Sequence, residues 1–218
     1  LRPEVYRHQA KETAELQFRK VHDAYTYLED GSPLFPTDVS RAAIYFIRNP
    51  LDVLISFAHH SATEPEKMIK VLNDPKKAFG RSPEKLFNQL RQRLSTWSGH
   101  VKSWVDQQEI PVHVMRYEDM RRDPFQVFEN ALKFLHLDVP EEKIRVALKN
   151  SDLSILQEQE QKHGFKEKMV YADRFFRKGK PGEWREVLTK EQVEAVINEH
   201  SEVMRRFGYL SEEGEILE

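Results

Sequence analysis

Four short segments hold the residues best suited to chemistry. In residues 18–23, Phe-Arg-Lys-Val-His-Asp, Lys20 and His22 stand two apart, a spacing that puts both on one face of an extended chain. A histidine so placed can act as a general base beside a cation that stabilises a leaving group. A lone histidine also serves as a structural or solvated residue. In residues 47–56, Arg48 ends an apolar run and Asn49-Pro50 opens a helix, with Asp52 in its first turn. A guanidinium fork at the positive end of a helix dipole suits an anion, and Ser56, one turn past Asp52, could donate to the same ligand. Equally, Arg48 could pair with a carboxylate and Ser56 could be a small packing residue. Residues 177–182, Arg-Lys-Gly-Lys-Pro-Gly, put three cations and two glycines in six residues. Backbone N–H groups there can approach an anion closely, and mutual repulsion of the cations predicts a mobile loop. A solvated surface turn anchored by Trp184 has the same composition. Tyr117 ends the strand predicted over 111–117, where an aromatic can flank a base or belong to the core.

The elements that position these residues follow from periodicity and punctuation. A helix is predicted over 4–14 and a short strand over 16–21. Residues 42–47 form an unbroken apolar run, the pattern of a strand buried on both faces. Asn49 as N-cap and Pro50 at the first helical position start the next helix. A further helix is predicted from Ser82-Pro83, with Leu86, Leu90, Leu94, Trp97, Val101 and Trp104 as its core stripe. A strand over 111–117 precedes helices over 124–135 and 140–150 and one reaching 162. Thr189 and Gln192 form a capping box for the last helix, whose stripe runs from Val193 to Phe207. Strands alternating with helices give an α/β fold, a central, mostly parallel β-sheet flanked by helices, with ligands expected at strand C-termini.

Composition narrows the partners. The 218 residues suit a single domain over 1–218, and the net charge of −2 supplies no general attraction for nucleic acid or anionic lipid. Cysteine is absent, which removes thiolate metal sites and disulfides and fits a reducing, cytoplasmic compartment. The nine histidines lack ligand spacing, so no metal is expected. No apolar run approaches the roughly 20 residues of a transmembrane helix.

Together the segments resemble the cytosolic-type sulfotransferase family, which has a P-loop-NTPase-like fold. Residues 44–56, IYFIRNPLDVLIS, are similar to the family's 3′-phosphate-binding strand–helix; FFRKGKPGEW is similar to its basic closing loop, with Glu183 where Asp is usual; MRYEDMRRDP is similar to the strand end that carries an adenine-side tyrosine; and KVH is similar to Lys-Thr-His. The resemblance covers roughly residues 16–185. It implies 3′-phosphoadenosine 5′-phosphosulfate (PAPS) as sulfuryl donor and PAP as product, with no metal. Arg48, Ser56, Arg177, Lys178 and Gly179 would bind the 3′-phosphate, Tyr117 would lie against the adenine, His22 would be the base and Lys20 would neutralise the transferred group. The acceptor would be a small-molecule, lipid or glycan hydroxyl or amine, placed near Tyr25, Tyr27, Phe35, His60 and the loop 64–82. Val21 replaces the family's Thr, and Leu153 stands where an aromatic is frequent. None of the eight glycines lies in the family's N-terminal phosphosulfate strand–loop–helix, so that element is expected to be missing from this chain. A P-loop nucleoside or nucleotide kinase and a non-catalytic PAP-binding module are the alternatives.

Overall fold

The computed structural model describes residues 2–80, 90–168 and 174–217. Its chain divides into two compact units: residues 1–45 with 71–113, and residues 46–70 with 114–218.

In the first unit, α1 (Arg2–Lys11) leads into a long irregular segment. The first halves of β1 (Ala43–Ile47) and β4 (Val112–Arg116) belong here, with the Ala43 N–H donating to the Pro111 carbonyl at 2.9 Å. These two strands form the parallel sheet, and β2 (Ala78–Phe79) pairs antiparallel with β3 (Gln92–Arg93). The core is aromatic: Tyr25, Leu34, Phe35, Trp104 and Ile110 are buried together, with the Trp104 ring 5.3 Å from Tyr25 and 5.0 Å from Phe35. Tyr25 and Phe35 are therefore packing residues of this core.

In the second unit, Asn49 caps α2 (Pro50–His60) by accepting from the Leu51 N–H at 3.0 Å, and Pro50 occupies the first turn, as its sequence predicts. α3 (Pro65–Leu72) occupies much of the stretch expected to be a loop. After β4 come α5 (Tyr117–Arg122), α6 (Pro124–Phe134), α7 (Glu141–Asn150), α8 (Leu153–His163), α9 (Trp184–Val187) and α10 (Lys190–Arg206). The Thr189–Gln192 capping box is present, and α10 buries Val196, Val203 and Met204 as it packs on α2.

Three expectations are corrected. Residues 16–21 form no strand: Leu16 and Phe18 lie exposed, and among the described residues no ladder partner pairs with them. β1 is not buried on both faces, because Phe46 is 61% exposed and only Ile47 is buried. The stripe running to Trp104 is not one helix. Residues 81–89 lie outside the described part, Gln92–Arg93 is strand, and α4 (Trp97–Val105) starts only where Thr96 accepts from the Gly99 N–H at 2.9 Å. Trp97, Val101 and Trp104 still face the core, so the apolar period was right and its extent was not.

Candidate functional site: an arginine, a tyrosine and a basic loop

Arg48 leaves the end of β1 at a braced corner. Glu118, 6% exposed, accepts the Asn49 N–H at 3.0 Å and the Tyr209 hydroxyl at 2.9 Å, which fixes the backbone next to Arg48. The guanidinium carbon lies 4.4 Å from the centroid of the Tyr117 ring, a cation–π stack. One Nη donates to the Lys180 carbonyl at 3.3 Å and lies 3.6 Å from Asp52. The Arg48 Nε is buried and has no hydrogen-bond partner among the described residues. A charged donor in that condition is costly unless an acceptor meets it.

The basic loop is held from outside. Asp52, 2% exposed, accepts the Gly182 N–H at 2.8 Å and the Trp184 N–H at 3.4 Å. The Tyr117 hydroxyl donates to the Gly179 carbonyl at 2.9 Å. From α8, Gln157 donates to the carbonyls of Phe176 (3.1 Å) and Arg177 (2.6 Å), while Glu160 accepts the N–H groups of Phe175 (2.6 Å) and Phe176 (3.0 Å). The expected repulsion among the cations is answered within the loop: Glu183 lies 2.7 Å from Arg177 and 3.3 Å from Lys178. These bonds give the loop a defined shape from Phe175 to Gly182.

Gly179 has φ +59°, and a β-carbon there would come within 2.6 Å of the Leu153 side chain. Gly179→Ala should therefore destabilise the loop by roughly 1–2 kcal/mol from the left-handed backbone alone. Trypsin should then cut faster after Arg177 and Lys178 while other sites keep their rates; unaltered cutting there would show that the loop does not depend on Gly179.

Arg48, Tyr117, Arg177, Lys178 and Gly179 are thus gathered in the second unit. Ser56 lies exposed on α2, one turn beyond Asp52. Lys20 and His22 belong to the first unit, where both are exposed on an irregular, extended segment. The His22 ring meets Phe79 edge-on at 5.9 Å, and its carbonyl accepts from His100 Nε2 at 3.1 Å. Sequence reading missed Asp52 as a loop clamp, as well as Gln157, Glu160 and His100. Asp52 was visible only as a first-turn acid, since its partner Gly182 is 130 positions away. Among the described residues no cluster of three or more His, Cys, Asp or Glu could hold a metal ion, and no helix is long and apolar enough to cross a membrane.

The family model described as Sulfotransferase domain matches residues 2–208. The chain is 32% identical over 158 residues to Sulfotransferase 1 family member D1 of Mus musculus, covering 69% of this chain and 50% of that protein. It is 27% identical over 203 residues to Sulfotransferase 1A1 of Mus musculus, covering 89% and 65%. The fold matches a crystal structure of mouse sulfotransferase SULT7A1 complexed with PAP, with a TM-score of 0.59 at 20% identity over 79% of this chain and 62% of that one. The chain spans about half to two thirds of the length of these relatives. The strand–arginine–helix corner and the basic loop that closes on it, found within a match running nearly end to end, make this chain a member of the cytosolic-type sulfotransferase family.

Proposed function

We propose that this chain carries the nucleotide-binding and base-bearing parts of a single PAPS-dependent sulfotransferase domain, acting on a hydroxyl or amine of a small-molecule, lipid or glycan acceptor in the cytoplasm. The observation that carries the reading is the buried, unmatched Nε of Arg48 beside a loop bearing three cations. Such a donor set fits a phosphate, with the planar guanidinium giving direction and the lysines giving charge. When bound, PAPS supplies the sulfuryl group and departs as PAP.

In this reading Arg48, Arg177, Lys178 and the Gly179 backbone hold the 3′-phosphate, with Ser56 donating from α2. Tyr117 lies against the adenine and, through Gly179, keeps the loop in register. Glu183 limits the affinity by sharing Arg177 and Lys178, so the incoming anion competes with a carboxylate already in place. His22 takes the proton of the acceptor as the new S–O or S–N bond forms, and Lys20 places positive charge on the same segment.

The full-length protein, incubated with labelled PAPS and a panel of hydroxyl and amine acceptors, should transfer label. PAP binding without transfer to any of them would favour the non-catalytic module. Arg48→Ala should weaken PAP binding about ten- to a hundredfold, the worth of a charge-assisted hydrogen bond of ~1.5–3 kcal/mol. Adenosine 5′-phosphosulfate, which lacks the 3′-phosphate, should bind both proteins alike; equal losses for the two nucleotides would point to a folding defect.

A further inference from the structure

The irregular segment that bears His22 forms no strand there, yet its backbone is tied at three points by one face of α4 and at a fourth by β3, whose Arg93 carbonyl accepts the Ala24 N–H at 2.7 Å. His100 Nε2 lies 3.1 Å from the His22 carbonyl, the Trp104 indole N–H donates to the Asp23 carbonyl at 2.9 Å, and the Tyr25 N–H donates to the Ser103 hydroxyl at 3.0 Å. Positions 100, 103 and 104 share a helix face, so a single helix presents all three groups. The Asp23 carboxylate is fixed in turn by Arg2 at 2.6 Å and by the Arg93 N–H at 2.9 Å. Of these ties, the one from His100 lands on the residue that carries the proposed base.

The chemistry of that tie defines the state of His100. A carbonyl only accepts, so Nε2 carries the hydrogen. Burial holds the His100 pKa below its ordinary value, which leaves Nδ1 as a bare lone pair in the neutral ring. The Tyr45 hydroxyl lies 2.8 Å from Nδ1 and donates to it, and burial keeps that phenol protonated. Tyr45 in β1, His100 in α4 and the His22 backbone thus form one directed chain of hydrogen bonds with each proton assigned.

We propose that His100 is a positioning residue for sulfuryl transfer: held in one tautomer by Tyr45, it fixes the His22 backbone and through it the direction of the His22 ring. The proposal rests on His22 being the base. It does not require His100 to touch acceptor or nucleotide. Its effect therefore falls on kcat, since misplacement of a reacting group by about 1 Å costs on the order of a hundredfold.

The test compares His100→Phe and His100→Leu, which keep apolar bulk but lose the donor, with His100→Gln, whose amide can donate to the His22 carbonyl and accept from Tyr45. In the full-length protein, His100→Phe should lower kcat by about 10–100-fold with unchanged PAP affinity. His100→Gln should recover most of that loss. In parallel, nitrogen-15 histidine spectra should show His100 of the unmutated protein as the neutral Nε2–H form. The His22 ring signals should shift in the Phe variant, or in the Leu variant if Phe does not fold, and return in the Gln variant. His22 ring signals that ignore all three substitutions would overturn the proposal, as would Gln behaving like Phe. If His22→Ala keeps its turnover, or no acceptor is sulfated, the reading of His22 as base fails. The ring signals still decide whether His100 positions His22.

Discussion

His22→Ala lowers kcat by about 10²–10⁴-fold, roughly 3–5 kcal/mol of barrier, and leaves PAP affinity within experimental error of wild type: that is the expected result if His22 is the general base. The affinity half of the expectation follows from where the groups reside. Arg48, Tyr117 and the loop 177–182 belong to the second unit and are braced by Asp52, Gln157 and Glu160 of that same unit. The backbone tie also survives, since it ends on the His22 carbonyl. Steady-state kinetics on the full-length protein, with PAP titrated separately, checks both halves. Near wild-type kcat would make His22 a structural histidine.

Trp104→Ala should be the most destabilising single substitution in the first unit, at about 3–5 kcal/mol. Trp104 is 5% exposed and meets Tyr25, Phe35 and Tyr45, so its removal opens a large cavity in an aromatic core. The loss also strips the Asp23 carbonyl of its donor. Trp104→Phe separates the two effects: it keeps much of the apolar area, so an unmatched carbonyl should remain as the larger part of its cost, about 1–3 kcal/mol. Denaturant unfolding followed by far-UV signal measures each. A loss below about 1 kcal/mol for Trp104→Ala would mean that the core closes over the gap or is not built around this ring.

What the sequence disclosed and what it hid divide along chain separation. Asn49-Pro50 and Thr189-Gln192 announce their helices because a cap is a contact between residues two or three apart. The apolar period of Trp97, Val101 and Trp104 marks a core face for the same reason. That period was also the source of error upstream. Leu90 and Leu94 continue it numerically, but Ser95 adopts φ +66° and Thr96 begins a new helix, a local event that hydrophobic spacing does not register. The basic segments and Arg48 were legible by charge type. Their restraints were not: Gly182 finds Asp52 across 130 positions and His22 finds His100 across 78. Residues 16–21 read as a strand from one segment alone, whereas a strand requires a partner.

The outside bracing of residues 174–184 has a thermodynamic consequence. The loop's shape is stored in Arg48, Asp52, Tyr117, Gln157 and Glu160, so it exists only while the second unit is folded. Any ligand that needs this shape binds the native chain and not the unfolded one. Occupancy is then converted directly into resistance to melting, about 2.7 kcal/mol at a hundredfold excess over the dissociation constant. On the proposed reading, a bound nucleotide would act as a conformational guard that shelters the second unit from proteolysis.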